Sequence, residues 1–238
     1  KKPKHLSQTI FMVHMSDDCI TESGEEIMTE ELTDLAFGMF TIFMEQQLEK
    51  EETCLYREVE AGTDLTARCE TLLAAFTEEY PPLAHALAML GTAADIAGLY
   101  VAGEGIVPTK TTKSYWIQQD CPGAETGAIG AEEAGKWLIF LAPEEVDAAW
   151  QKVRNATVAG TLGIGAKVST TKEKEDSRDD RKVIYVFTAD WANEEDVMRV
   201  REELKNLGFV DRIGYKRNLD TYAGEYRKKG KRVTYYSV

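Results

Sequence analysis

The sequence predicts an α+β fold, a curved antiparallel or mixed sheet with helices on one face, preceded by a helical region. Two observations support this class. Between residues 113 and 238, short apolar runs typical of strands alternate with amphipathic stretches typical of helices. Between residues 29 and 100, apolar residues recur at three- and four-residue steps. We therefore expect an acidic, mainly helical N-terminal region at residues 1–105 and an α/β domain at residues 113–238.

Charge separates the same two parts. The chain has a net charge of −13, yet residues 1–105 hold 6 of the 28 Lys+Arg and 20 of the 41 Asp+Glu. The acidity therefore belongs to the N-terminal region, and the rest is nearly balanced with local basic clusters. A field that would attract nucleic acid to the whole molecule is not expected.

Cysteine and histidine usage argues against a disulfide scaffold and against a zinc site. The four cysteines stand far apart without a CxxC pair, and none of the three histidines lies at ligand spacing from another. We expect thiols in a reducing compartment, a cytoplasmic location, and no metal or cofactor. No membrane span is predicted, because Asp34 interrupts the longest apolar helix.

Three helices are predicted in the N-terminal region. The first starts near Thr29 and carries a broad Met/Phe-rich stripe over Leu32–Leu48. That stripe suits either a core or a partner-facing surface. Thr63 or Asp64 caps the second helix, which breaks at Pro81 and Pro82. The third is predicted over Leu83–Tyr100. A short strand is predicted near Thr9–Met15.

Beyond a Gly- and Pro-rich boundary, six apolar or alternating runs predict strands. They are Ser114–Gln118, Lys136–Leu141, Ala166–Thr171, Val183–Thr188, Ile213–Lys216 and Arg232–Tyr236. Two helices lie between them. One begins with Pro143 at its first position, and the other has Asn193 as N-cap and Gly208 as its stop. The strand before Asn193 and the strand after Gly208 form a βαβ-like unit with that helix.

Two basic loops flank the predicted sheet and could hold a phosphate, since convergent Lys and Arg side chains suit such a ligand. Both loops also contain acids, so solvated mixed-charge loops are the alternative. Trp137 and Trp150 lie in core patterns, which leaves Trp116 and Trp191 as ligand-facing candidates. The predicted ligand-binding residues are Trp116, Lys167, Lys172, Lys174, Arg178, Arg181, Trp191, Lys216 and Arg227.

Lys167 stands out among these residues because it lies inside an apolar strand. A lysine in that setting is costly unless it faces a polar cleft or a partner. It could bind a phosphate, or act as a base if its pKa is lowered.

Four segments carry a resemblance to a known family: Gly135–Trp150, Leu162–Thr170, Lys182–Gly208 and Tyr215–Tyr226. In this order they resemble the family of the basophilic leukaemia-expressed protein, over about half of the chain. That family resembles translation initiation factor 4E in fold, and some members carry the label of a phosphothreonine lyase.

The resemblance implies two kinds of chemistry. A cap-binding protein would stack a base between aromatic side chains from two loops and hold its phosphates with basic residues such as Lys172 or Lys174. The Gly-rich loop before Trp137, where one stacking tryptophan would stand, contains no aromatic residue. A phosphothreonine lyase would use a lysine base, matched by Lys167, and a histidine acid. The strand Lys136–Leu141 has no histidine.

The sequence therefore favours a non-catalytic module that binds a phosphate-bearing ligand: a nucleotide, an RNA end or a phosphopeptide. One alternative is a lyase-like elimination enzyme with Lys167 as base. Another is a protein-interaction scaffold that uses the helix Leu32–Leu48.

Overall fold

A computed structural model of the chain describes residues 22–124, 132–172, 180–222 and 234–238. The predicted strand at Thr9–Met15 lies outside these ranges. The helices are α1 (Glu22–Lys50), α2 (Leu55–Glu60), α3 (Thr66–Glu79), α4 (Pro81–Leu87), α5 (Ala93–Ala102), α6 (Val146–Val158), α7 (Glu194–Asn206) and α8 (Asn218–Tyr222). The strands are β1 (Trp116–Asp120), β2 (Gly135–Leu141), β3 (Gly165–Ser169), β4 (Lys182–Thr188), β5 (Gly214–Arg217) and β6 (Tyr236–Ser237).

The six strands form one sheet in the order β1-β3-β4-β2-β5-β6, and every neighbouring pair is antiparallel. Strands β2 and β3 are both antiparallel to β4, so they run parallel to each other on either side of it. Strands β4 and β5 flank β2 in the same way. The chain thus forms two interleaved split β-α-β units, closed by α6 and α7. The α+β class and the βαβ-like unit predicted from the sequence are confirmed.

Helices α6 and α7 cover one face of the sheet. Alternate strand residues point into this core, among them Trp137 and Ile184, and meet Trp150 of α6 and Val200 of α7. The indole Nε1 of Trp137 donates a hydrogen bond to the Val197 carbonyl oxygen at 3.1 Å. The prediction that Trp137 and Trp150 belong to the core is confirmed.

The helical region has its own core. The stripe of α1 is packed against α3, α4 and α5, and Phe37, Phe40, Met44 and Leu48 are fully buried. Only Leu32 and Leu35 of the stripe are exposed, at 43% and 37%. The apolar stripe is therefore occupied mainly by the chain's own helices.

The predicted third helix over Leu83–Tyr100 is wrong, because the chain breaks within it. Gly91 has a φ of +111°, in the left-handed region that favours glycine, and a side chain there would meet Asp95. Thr92 then starts α5 with a reciprocal capping box to Asp95. Many alanines on both sides of the break made the segment look continuous. Pro81 and Pro82 form the first turn of α4.

Other predicted boundaries also need correction. Helix α1 begins at Glu22 rather than Thr29, and α6 begins at Val146, so Pro143 lies in the preceding turn. The Glu145 carboxylate accepts a hydrogen bond from the Ala142 N–H at 3.2 Å and keeps this turn outside the helix. The predicted cap of α3 by Thr63 or Asp64 is wrong: Leu65 is the N-cap and no side chain caps the helix there, although Asp64 accepts a hydrogen bond from the Thr66 N–H at 2.9 Å just before it.

Strand edges shift in a similar way. Strand β1 starts two residues later than predicted, at Trp116, and within the described residues 234–238 the edge strand β6 is Tyr236–Ser237. The asparagine cap of α7 is confirmed by the hydrogen bond from the Asp196 N–H to Asn193 Oδ1. Gly208 follows that helix with a φ of +101°, as its predicted role requires.

Ion pairs join the helical region to the sheet. Asp34 of α1 is buried and accepts Lys172 Nζ at 2.6 Å and Lys113 Nζ at 3.4 Å. On the other side, buried Arg154 of α6 pairs with Glu60 at 2.7 Å and lies 3.6 Å from the ring centroid of Tyr56. The division of the chain at residues 105–113 stays a prediction, and these contacts show that the two parts touch closely.

In the described ranges, no single helix is long and apolar enough to cross a membrane. Taken together, the two helical segments Pro81–Leu90 and Ala93–Ala102 have the length and apolar composition of a membrane span, but the chain bends by 69° between them.

The turn before β3 generates the first prediction. An added Cβ at Gly163 would lie 1.8 Å from the carbonyl oxygen of Phe187, which also accepts the Ile164 N–H. Because the obstacle is backbone, we expect Gly163→Ala to lower the free energy of unfolding by roughly 1–3 kcal/mol. Urea unfolding followed by circular dichroism measures it.

Gly98→Ala is the matched control. Gly98 lies within α5 with nothing within 4 Å of an added Cβ, so we expect about 0.5–1 kcal/mol of stabilisation. Equal stabilities for the two variants would contradict the backbone contact at Gly163.

Candidate functional site

The second face of the sheet, away from α6 and α7, gathers three lysines. Lys136 lies on β2, Lys167 on β3 and Lys216 on β5, at positions that alternate with buried core residues. Three aromatic residues share this face by the strand register. We call the set Trp116, Lys136, Lys167, Tyr185, Phe187 and Lys216 the lysine face.

Two of the lysines stand directly opposite each other. Lys136 of β2 and Lys216 of β5 form a cross-strand pair, and their exposed fractions are only 8% and 6%. Like charges in such a pair destabilise a sheet, and partial burial adds to the cost. The cross-strand repulsion therefore lowers the stability of this part of the sheet.

The aromatic rings lie beneath the ammonium groups. Lys167 Nζ is 4.4 Å from the ring centroid of Trp116, 5.4 Å from that of Tyr185 and 5.8 Å from that of Phe187. Lys136 Nζ lies 5.5 Å and 5.8 Å from the centroids of Tyr185 and Phe187. Cation–π attraction at these distances stabilises both ammonium groups by about 0.5–2 kcal/mol each. The two lysines thus share the same pair of rings.

Burial of Lys136, with repulsion from Lys167 and Lys216, lowers the pKa of this lysine to about 8. Its Nζ donates a hydrogen bond to Asn218 Oδ1 at 2.8 Å. Asn218 is itself placed by a hydrogen bond from its N–H to the Ala134 carbonyl oxygen, just before β2. A fraction of neutral amine is therefore present on the lysine face near physiological pH.

The structure brings together three of the predicted ligand-binding residues: Trp116, Lys167 and Lys216. Lys167 lies close enough to Lys136 for the two charges to interact. A signal for Lys136 existed in the sequence, because Lys136, Leu138 and Phe140 alternate with buried residues of β2. The run Lys136–Leu141 is otherwise apolar in the sequence, which conceals this alternation. Lys136, Tyr185, Phe187 and Asn218 were therefore not among the predicted site residues.

Lys172 is placed elsewhere. Its ammonium pairs with Asp34 and lies 5.0 Å from the ring centroid of Tyr115, at the junction with the helical region. This ion pair could not be foreseen because Asp34 and Lys172 are far apart in the sequence. Lys172 therefore does not converge with Lys167 on a common phosphate site, as the prediction for the basic loops had required.

Arg181 and Trp191 also contact other groups. Arg181 lies 5.3 Å from the ring centroid of Phe140, four residues along β2 from Lys136. Trp191 packs against Tyr235 and Arg217, and its Nε1 donates to the Glu132 carbonyl oxygen at 3.2 Å. Three further predicted residues lie outside the described ranges, namely Lys174, Arg178 and Arg227.

One protein-family model matches a segment in the C-terminal part of the chain. Residues 128–224 match the family model of the basophilic leukemia-expressed protein Bles03. The resemblance predicted from the sequence is confirmed. The matched segment contains β2, β3, β4 and β5, and with them all three lysines of the lysine face.

Solved structures similar to the chain are initiation factors of the eIF4E type. One is a schistosome eIF4E complexed with m7GpppA and 4E-BP, with 17% identity over 50% of this chain and a TM-score of 0.37. Another is C. elegans eIF4E-3 with the 4E-binding protein Mextli and a cap analog, with 18% identity over 45% of this chain and a TM-score of 0.37.

A third is Ascaris suum eIF4E-3 with m7G cap, with 14% identity over 52% of this chain and a TM-score of 0.37. The chain spans 65% of the length of the first two of these proteins and 68% of the third.

The lowered pKa of Lys136 generates a prediction on stability and pH. Below pH 8 this lysine is charged in both the folded and the unfolded chain. The folded state then bears the full free-energy cost of burying the charge beside Lys167 and Lys216. Between pH 8 and the ordinary lysine value near 10.5, the folded chain has lost this proton and the unfolded chain retains it. The unfolded state then binds more protons, so stability rises with pH over this window.

We expect the free energy of unfolding of the natural chain, relative to Lys136→Met, to rise by up to about 3 kcal/mol across this window. Urea unfolding at a series of pH values measures the difference. Lys152→Met, at an exposed position of α6, is the matched control. A difference that stays constant with pH for Lys136→Met would contradict the burial of this charge.

Proposed function

We propose that the lysine face binds a phosphate-bearing ligand, and that the domain acts as a binding module for a nucleotide, an RNA end or a phosphopeptide. The observation that carries the proposal is the convergence of Lys136, Lys167 and Lys216 on the sheet face opposite the helices. The chain as a whole has a net charge of −13 and does not attract anions. An anionic ligand would therefore be drawn to this local group of lysines and not to the surface in general.

Energetics supports an anionic ligand. Two nearly buried lysines in a cross-strand pair, with a third close enough to lower a pKa, repel one another. A phosphate carries about −1.5 to −2 charges at neutral pH and accepts several strong hydrogen bonds. Binding it would relieve the repulsion and raise the pKa of Lys136 towards its ordinary value.

The aromatic residues support a ligand with a flat or apolar part beside its phosphate. The partly exposed ring of Trp116 lies next to Tyr185, with centroids 5.2 Å apart and planes at 31°. A base could stack on such a ring and contribute about 1–3 kcal/mol. Lys167 contacts Trp116 in the free protein, so a ligand that stacks there would have to displace its ammonium.

The proposal is tested by calorimetric titration at low salt with nucleotides, cap analogues and phosphopeptides. We expect saturable binding by at least one class, and a loss of affinity of about tenfold for Lys167→Ala and for Lys216→Ala, since each removes a charged hydrogen-bond donor. Lys152→Ala is the control on the helix-covered side and should leave the affinity unchanged. Absence of saturable binding, or affinity unaffected by Lys167→Ala, would refute the proposal.

A second candidate is an elimination enzyme that acts on phosphothreonine. The observation that favours it is the position of Lys167 beside Lys136, whose pKa is lowered to about 8, since a neutral lysine can remove a proton next to a carbonyl. Lys167 is the base predicted from the sequence. In the described ranges, the histidine needed as acid is not near this face, because His85 lies on α4.

This candidate predicts release of inorganic phosphate from a phosphothreonine peptide, with loss of phosphoric acid from the peptide mass. Lys167→Ala should stop the release because the base is removed, whereas Lys152→Ala should not. Phosphate release and peptide mass are measured over the same time course. An intact peptide after prolonged incubation with the natural chain would exclude the lyase and leave the binding module.

A further inference from the structure

Three aromatic side chains gather at one end of the sheet, beside the start of α7. The ring centroids of Trp191 and Tyr235 are 5.3 Å apart, and those of Tyr235 and Tyr236 are 4.8 Å apart. Tyr235 is 41% exposed, and the other two residues are partly exposed. We call these three residues the aromatic corner. Trp191 and Tyr236 pack against the core beneath α6 and α7, so the corner is separate from the lysine face.

Hydrogen bonds fix the position of the corner before any partner binds. The Trp191 N–H donates to the Glu133 carbonyl oxygen at 2.9 Å, and the indole Nε1 donates to the Glu132 carbonyl oxygen at 3.2 Å. The main chain of Tyr235 is held by its N–H, which donates to the Tyr215 carbonyl oxygen at 2.7 Å. A partner would therefore order few side chains on binding, which lowers the entropic cost of association.

The corner already packs a guanidinium group of the chain itself. The guanidinium carbon of Arg217 lies 4.8 Å from the ring centroid of Trp191 and 4.8 Å from that of Tyr235. Asp220 orients this group by accepting hydrogen bonds at 2.9 Å and 2.7 Å. A guanidinium is flat and weakly hydrated, so it stacks on aromatic rings better than an ammonium does. The rings thus have the spacing and polarity that suit arginine.

Acidic side chains surround the corner. Asp190 precedes Trp191, and Glu194 and Glu195 follow it in the first turn of α7; all three acids are exposed. We call these acids the acidic rim. In the part of the chain that the structure describes, neither Glu194 nor Glu195 forms an ion pair. Desolvation, helped by the nearby Glu194 carboxylate, raises the pKa of Tyr236, so this charge acts on the corner directly.

We propose that the aromatic corner is a docking surface for a basic segment of a partner protein, in which an arginine side chain stacks on the exposed rings and the acidic rim attracts the neighbouring positive charges. Tryptophan and tyrosine are the residue types that contribute most to binding at protein interfaces. The rim complements a basic segment and repels nucleic acid. This inference is independent of the proposed phosphate site, which takes a ligand of the opposite charge.

The test titrates the full chain with a fluorescein-labelled peptide in which several arginines alternate with glycine and serine. The controls are the same peptide with lysine, or with glutamate, in place of arginine. We expect saturable binding of the arginine peptide and about fivefold weaker binding of the lysine peptide, because an ammonium stacks less well. The glutamate peptide should not bind. Fluorescence anisotropy measures all three.

Variants locate the binding surface. We expect Tyr235→Ala to weaken binding of the arginine peptide by about tenfold, and Glu194→Gln combined with Glu195→Gln to weaken it by a similar factor. The matched control combines Glu202→Gln with Glu203→Gln, which removes the same charge about two turns further along α7 and should leave the affinity unchanged. If Tyr235→Ala fails to fold, as judged by circular dichroism, the two pairs of glutamine substitutions still decide the outcome.

Equal affinity for the arginine and lysine peptides, or equal weakening by the two pairs of glutamine substitutions, would show attraction by charge alone and overturn the proposal. Absence of saturable binding also overturns it. So does self-association that Tyr235→Ala abolishes, because a second copy of the chain would then occupy the corner. Arginine-selective binding that only the variants of the corner and its rim weaken supports the proposal, whether or not a phosphate-bearing ligand binds the lysine face.

Discussion

The orientation of β2 depends on Trp137. Its indole is fully buried against α7, and its Nε1 bonds to a main-chain oxygen of that helix. A large aromatic side chain held at both ends allows no shift of the strand by one residue, because such a shift would expose the indole and bury its neighbours. Lys136 must then point to the opposite face, where the cross-strand register places Lys216 beside it. The core on one side of the sheet therefore determines the chemistry on the other side.

The lysines that this register brings together on the second face of the sheet repel one another and lower the stability of the fold. Three lysines share that face, two of them almost without exposure, and cation–π contacts with three rings offset part of their mutual repulsion. Unfavourable groups that the surrounding structure holds in place are typical of binding and catalytic sites.

The helical region uses other cations for its own attachment. Asp34 forms ion pairs with Lys113 and Lys172, and Glu60 forms one with Arg154. A carboxylate of the sheet also acts on this region: burial, helped by the nearby carboxylates of Asp120 on β1 and Glu49 on α1, raises the pKa of Glu45 to about 7. Cations near α1 and α6 thus hold the two parts together, whereas those on β2, β3 and β5 are gathered on the lysine face.

Local patterns in the sequence were sufficient for the strands and helices of the C-terminal part, for the burial of Trp137 and Trp150, and for the importance of Lys167. Such features depend on residues within a few positions of one another, so periodicity and capping residues reveal them. The break at Gly91 was missed because its alanine-rich flanks resemble one helix. Only the tertiary structure decided that Lys136 and Lys216 join Lys167, and that Lys172 instead binds Asp34. Those neighbours result from strand order and domain contact, which bring together residues from distant parts of the chain.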